Sequence, residues 1–135
     1  MLDITLFRET PQVIFADHDK RGIPHDKIKQ VIELDQQWRD MQHQTNQLRQ
    51  QKNVAARGIG EAMKSGNRDE AEKIKAQVAD LGAKISAAET ATDDALAARD
   101  KIRMTIPNIL HPDVPVGADE SGNTQHSVHG EKPSF

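Results

Sequence analysis

The sequence predicts an all-α fold: a long antiparallel two-helix coiled-coil hairpin, one or two short N-terminal helices packed at its base, and an extended C-terminal linker. Three observations lead there. Two long segments carry apolar and small residues in strict 3–4 alternation, the signature of a heptad seam. Ser65-Gly66-Asn67 interrupts them as a helix stop and restart. Prolines at 107, 112 and 115 then forbid further helix, so the rod must stop at Ile106. The resulting divisions are 1–25 for the short helices, 26–106 for the arm with its tip near 64–69, and 107–135 for the linker.

Each element has its own local signal. Asp3 can cap a short first turn, and Thr10-Pro11 reads as a cap followed by proline at the first helical position. A helix from Pro11 turns Val13, Ile14 and Phe15 inward and ends near Arg21-Gly22. Pro24 and Asp26 open the first long helix. Asn67 caps the second, with Glu70 three residues later completing a capping-box-like pair.

The two seams test each other. The first runs Val31, Leu34, Trp38, Met41, Thr45, Leu48, Lys52, Ala55, Ile59, Ala62; the second runs Ala71, Ile74, Val78, Leu81, Ile85, Ala88, Thr92, Ala95, Arg99, Ile102. Folding at Gly66-Asn67 pairs positions whose numbers sum to about 133, so that Ile59 meets Ile74, Leu48 meets Ile85 and Val31 meets Ile102. Trp38 meets Ala95, a large residue against a small one. Lys52 and Arg99 put charges in the seam, with Asp80 and Asp35 as their partners in this register. Gly58, Gly60 and Gly82 lie inside helices at a cost of about 1 kcal/mol each relative to alanine. A stiff base around Trp38 and a more pliable tip follow. Roughly 37 residues per helix give an arm of about 55 Å.

Composition agrees and excludes other classes. Three Phe, one Trp and no Tyr leave little aromatic mass for a globular core. No cysteine means no disulfide or thiolate metal site. The N-terminus lacks a signal-peptide pattern and no apolar run reaches membrane-spanning length, so a soluble cytoplasmic chain without membrane contact is expected. A hairpin encloses no cleft that would tune a carboxylate for catalysis. His126 and His129 stand close in sequence with no third ligand in sight, and His18, His25 and His43 fall on helix or loop surfaces. The chain alone is expected to have no catalytic residue, no metal site and no cofactor.

Charge is uneven. Between Arg49 and Lys75 seven basic residues face four acids, +3 inside a chain whose net charge is −3, so the remainder carries −6. Such asymmetry suits a polyanion-binding end, and equally a solvated helix surface.

The residues also resemble a known family, the N-terminal domain of seryl-tRNA synthetase. Met1-Leu2-Asp3 with Arg8, Glu9 and Pro11 is similar to its start. Lys52-Asn53 followed by Ile59-Gly60 resembles its first-arm-helix motif; Arg57 stands for the family's lysine, and Ala56 replaces its serine. Ile106-Pro107-Asn108, His111-Pro112, Val114-Pro115-Val116-Gly117, Asp119-Glu120 and Asn123 resemble the segment joining the family's arm to its catalytic domain; Gly130, Pro133 and Phe135 fit the approach to that domain. The resemblance implies an arm that grips the long variable arm and elbow of serine tRNA by shape and backbone. It further implies a class II ligase that activates serine with ATP and Mg2+ and is a homodimer through a catalytic domain absent from this sequence.

RNA helices offer a shallow minor groove and phosphates, targets for cations on a rigid rod. The expected contacts are Arg49, Lys52, Asn53, Arg57, Lys64, Arg68, Lys73 and Lys75, with Arg39 and Lys84 nearer the margin. The competing reading is a structural coiled-coil module that binds protein and no RNA.

Overall fold

The structure, a computed structural model, describes residues 1–131 and Pro133. Phe135, which fits the approach to a further domain, lies outside the described residues. Helix α1 spans Ile4–Glu9, α2 Pro11–Arg21, α3 Asp26–Lys64 and α4 Arg68–Arg103; a single 3-10 turn follows at Glu120–Gly122. No strand occurs among the described residues. Helices α3 and α4 form the hairpin, and α1 and α2 pack against α3 at its open end.

Local chemistry explains the boundaries. The Asp3 carboxylate accepts hydrogen bonds from the backbone N–H and hydroxyl of Thr5, at 2.8 and 2.7 Å, and so starts α1. Pro11 occupies the first turn of α2, but the Thr10 side chain makes no capping bond, contrary to the sequence expectation. Gly22 ends α2 with φ +67°, a left-handed conformation that glycine adopts without a Cβ penalty. Gly66 does the same at the tip with φ +78°, which lets the Asn67 N–H reach back to the Ala62 carbonyl at 3.0 Å. Asn67 in turn accepts from the Glu70 N–H at 3.2 Å. Because the Asn67 N–H is already satisfied by Ala62, the Glu70 side chain has no return bond to make, and only half of the expected capping box forms. Helix α4 ends at Arg103, and Thr105 and Ile106 close a turn that carries Ile106 into the base.

Every one of the twenty seam positions is buried or half-buried. Contacts across the hairpin obey the expected register. Arg99 reaches Asp35 at 2.6 Å, as that register requires, while Thr45 and Thr92, from adjacent seam layers, bring their hydroxyls within 3.4 Å. Lys52 does not pair with Asp80, which instead holds Lys84 one turn along α4 at 3.1 Å. An i,i+4 partner on the same helix needs less side-chain ordering than one across the seam. The Lys52 ammonium instead lies over Gly82, where a Cβ would stand 3.7 Å from Nζ.

The core sits at the base, where Leu2, Phe7, Ile14, Ile28, Val31 and Ile106 form one buried cluster. Ile14 is fully buried, whereas Val13 is exposed; α2 presents Ile14, Asp17, His18 and Arg21 inward, so Val13 falls on the outer side. Each fully buried apolar side chain of this size contributes about 1.5–3 kcal/mol relative to exposure.

Beside the core lies a polar lock. Arg8 grips Asp35 through Nε and Nη2 at 2.7 and 2.9 Å, and Arg99 takes the same carboxylate from α4. Arg99 also bonds Asp100, which holds Arg103. The Trp38 ring lies under both guanidinium groups, 5.1 Å from Arg99 and 6.0 Å from Arg8. Burial alone would raise the Asp35 pKa, but the hydrogen bonds from Arg8 and Arg99 outweigh it and hold the carboxyl below its usual value. One carboxylate thus ties α1, α3 and α4 together.

Two further polar residues are inside rather than on the surface. His18 is only 1% exposed, which overturns its expected surface position, and burial lowers its pKa. Asp17 accepts the Leu110 N–H at 2.8 Å, while Arg21 donates to the Asn108 carbonyl at 2.6 Å. Helix α2 therefore fastens the first residues after the arm.

Candidate nucleic-acid interface

The expected contact residues sit at the end of the hairpin remote from this core. Asn53, Arg57, Lys64, Arg68 and Lys73 are exposed, and none of their cations has an ion-pair partner among the described residues. Arg49 pairs across the hairpin with Glu89 and donates to Asn46 at 3.0 Å. Lys75 pairs with Glu72 at 2.8 Å. These pairs are half exposed, so they add little stability and can be exchanged for a phosphate.

Helical spacing sorts the set by face. Arg49, Asn53, Arg57 and Lys64 recur at intervals of four, four and seven along α3, which makes one stripe. On α4, Arg68, Lys75 and Glu89 recur at multiples of seven and make another. The Arg49–Glu89 contact shows that both stripes look the same way. Six of the eight expected residues thus share one face. Lys73, two residues from Lys75, turns to the opposite flank, and Lys52 is half-buried in the seam. Asn46 and Arg39 continue the stripe toward the base, at three and ten residues before Arg49. A count of charges passes over Asn46; its spacing from Arg49 is the signal that finds it.

The opposite face is different in kind. It carries Gln51, Gly58, Lys73, Asp80 and Lys84, of which the last two neutralise each other. The rod therefore has a basic side and a near-neutral side, a geometry that can lie along a polyanion without surrounding it. Among the described residues no group of three or more His, Asp or Glu side chains is placed to hold a metal, and no helix is long and apolar enough to cross a membrane.

The sequence matches a family model, the Seryl-tRNA synthetase N-terminal domain, over residues 1–110. The chain belongs to this family. This seryl-tRNA synthetase N-terminal domain is 34% identical over 135 residues to a serine–tRNA ligase of Legionella pneumophila (strain Corby), covering all of this chain and 31% of that protein. The corresponding ligase of Rhizobium etli is 37% identical, with the same coverage. The chain thus spans about a third of the length of the curated relatives it matches.

Solved structures show the same fold. Seryl-tRNA synthetase from Pyrococcus horikoshii, complexed with ATP, superposes with a TM-score of 0.82 at 32% identity, over 90% of this chain and 27% of that one. The cytoplasmic serine–tRNA ligase of Naegleria fowleri, in complex with AMP, gives a TM-score of 0.83 at 23% identity, over 97% and 35%. At that identity the second likeness concerns the fold alone.

Proposed function

We propose that this domain is the tRNA-binding arm of a serine–tRNA ligase. It grips the long variable arm and elbow of serine tRNA through Arg49, Asn53, Arg57, Lys64, Arg68 and Lys75, with Lys52 and Lys73 as outlying contributors. The observation that carries the reading is the one-sided basic face at the free end of a rod whose other end is locked. A helical RNA displays phosphates and 2′-hydroxyls across a shallow groove, and cations spaced along a rigid edge fit phosphates at fixed intervals without reading bases. Selectivity then comes from shape: only a tRNA with a long extra arm presents backbone along the whole stripe.

In the complete cytoplasmic enzyme, residues 107–135 lead from this arm to a catalytic domain. There ATP, with Mg2+, activates serine before its transfer to the tRNA end, and the homodimer forms through the same domain. The arm's contribution is orientation, which turns a diffusional encounter into a positioned one.

The test measures affinity of the full 135-residue chain for a long-armed serine tRNA and for a short-armed tRNA across a salt series. We expect preference for the long arm and a log–log salt slope of about −3 to −4, as for about four released counterions. Arg57→Ala should lower the affinity and flatten the slope by about one. Equal binding of both tRNAs at every salt concentration would leave the hairpin without an RNA-recognition role.

A further inference from the structure

Gly60 is a residue the fold does not ask for. It lies inside α3, where glycine is the least favourable ordinary residue because it exposes backbone and gains chain entropy on unfolding. Its backbone is not left-handed; the positive-φ glycines are Gly22, Gly66 and Gly130. Nor does packing exclude a side chain. A Cβ built on Gly60 meets no atom within 4 Å, whereas one on Gly58 would touch Ile74 at 3.5 Å and one on Gly82 would touch Lys52 at 3.7 Å. The position is exposed. Neither conformation nor space accounts for the missing side chain.

Its place on the helix does. Gly60 follows Arg57 by three residues and precedes Lys64 by four, so it falls within the basic stripe, flanked by two cations that have no ion-pair partner among the described residues. The result is a bare patch of helix backbone between two positive side chains. A surface without Cβ atoms lets another backbone approach more closely, by roughly the 1.5 Å of a carbon–carbon bond.

We propose that Gly60 is the point of closest approach between the arm and RNA: a ribose–phosphate strand lies against α3 there, its phosphates reached by Arg57 on one side and Lys64 on the other. The inference rests on the tRNA-binding reading above and goes beyond it by assigning a contact to a residue that has no side chain. Shape, the basis of selectivity on an arm that reads no bases, would be sensed where the helix surface is recessed.

The experiment compares the full chain with Gly60→Ala, Gly60→Leu and a control, Gln51→Leu, which stands nine residues earlier and therefore half a helical turn away. Thermal unfolding by circular dichroism and tRNA affinity at fixed salt are read for each. Gly60→Ala should raise the melting temperature by about 3 °C, because alanine is the better helix former. It should nevertheless weaken tRNA binding, and Gly60→Leu should weaken it about tenfold or more. Gln51→Leu should leave affinity unchanged. If the unaltered chain binds tRNA and both Gly60 variants bind it equally well, the close approach is refuted while the RNA-binding reading stands. A loss of affinity accompanied by a lower melting temperature refutes it too, since the glycine would then serve the arm's own structure. Absence of tRNA binding by the unaltered chain overturns both readings together.

Discussion

At its base the hairpin is closed by six buried apolar side chains and by Asp35, which bonds Arg8 and Arg99 from two different helices. At its tip the buried residues are Ala62 and Ala71, small side chains with little apolar area, and the surrounding surface is charged. The heptad seam is continuous between them, so the two ends differ in what fills the seam rather than in backbone geometry. One end is closed by packing and ion pairs, and the other is thinly packed and charged. Stability in such a rod should fall from base to tip, with local opening easiest where least apolar area is buried.

The largest effect expected from this contrast is at Asp35. Asp35→Ala takes from the buried Arg99 guanidinium its partner across the hairpin and leaves it Asp100 alone, a change that should cost about 3 kcal/mol, the lower end for a broken buried pair. Truncating a tip seam residue, Ile74→Ala, removes a half-buried side chain and should cost about 1–2 kcal/mol. Urea unfolding of both variants checks the difference. Equal losses would mean that the seam is uniformly stabilised and that base and tip are not distinct.

Acidification should find the base next, and in two stages. Burial keeps the folded His18 pKa below the ordinary value of 6.5, so the unfolded chain takes up that proton first. Stability is therefore full above pH 6.5 and declines as pH falls through that value toward the lower folded one. Asp35 behaves likewise further down. Its folded pKa lies below 3.8, so its contribution is present above that pH and is lost as the carboxylate is protonated beneath it. Melting temperature recorded against pH tests both stages. His18→Gln should remove the upper one and leave the lower.

Much of this is legible in the sequence because heptad spacing is a backbone property. Each seam residue is buried or half-buried, and the Arg99–Asp35 pair forms as the register requires. What escapes is decided by side-chain choices that spacing does not determine. Lys52 loses Asp80 to Lys84, a nearer competitor on Asp80's own helix. Arg8 joins Asp35 from α1, a contact between residues 27 apart that no single-helix pattern contains. Polarity alone puts His18 on a surface and gives Asp17 no role, although Ile14, Asp17, His18 and Arg21 follow one another at helical spacing on one face of α2. For the interface, the cations are visible from composition, but their division into faces needs the Arg49–Glu89 contact to align two helices. By helix propensity Gly60 is only a cost, since an empty space has meaning only once its neighbours are placed.

The smallest predicted effect is the most discriminating. Asn67 caps α4 by accepting the Glu70 N–H, and Asn67→Ala removes that bond at a cost of about 1 kcal/mol. What matters is where the cost is felt. If the arm is one cooperative unit, amide exchange should accelerate everywhere that exchanges by global opening, by about fivefold for about 1 kcal/mol. If the tip opens independently of the locked base, acceleration is confined to the turns on either side of Gly66, and amides around Val31 and Ile102 keep their rates. The base holds its helices through side chains far along the rod from the cap, with the weak tip layers between. We therefore expect the local outcome. With Arg68 in the proposed interface, Asn67→Ala should also lower tRNA affinity modestly, because Arg68 sits in the turn that the cap organises.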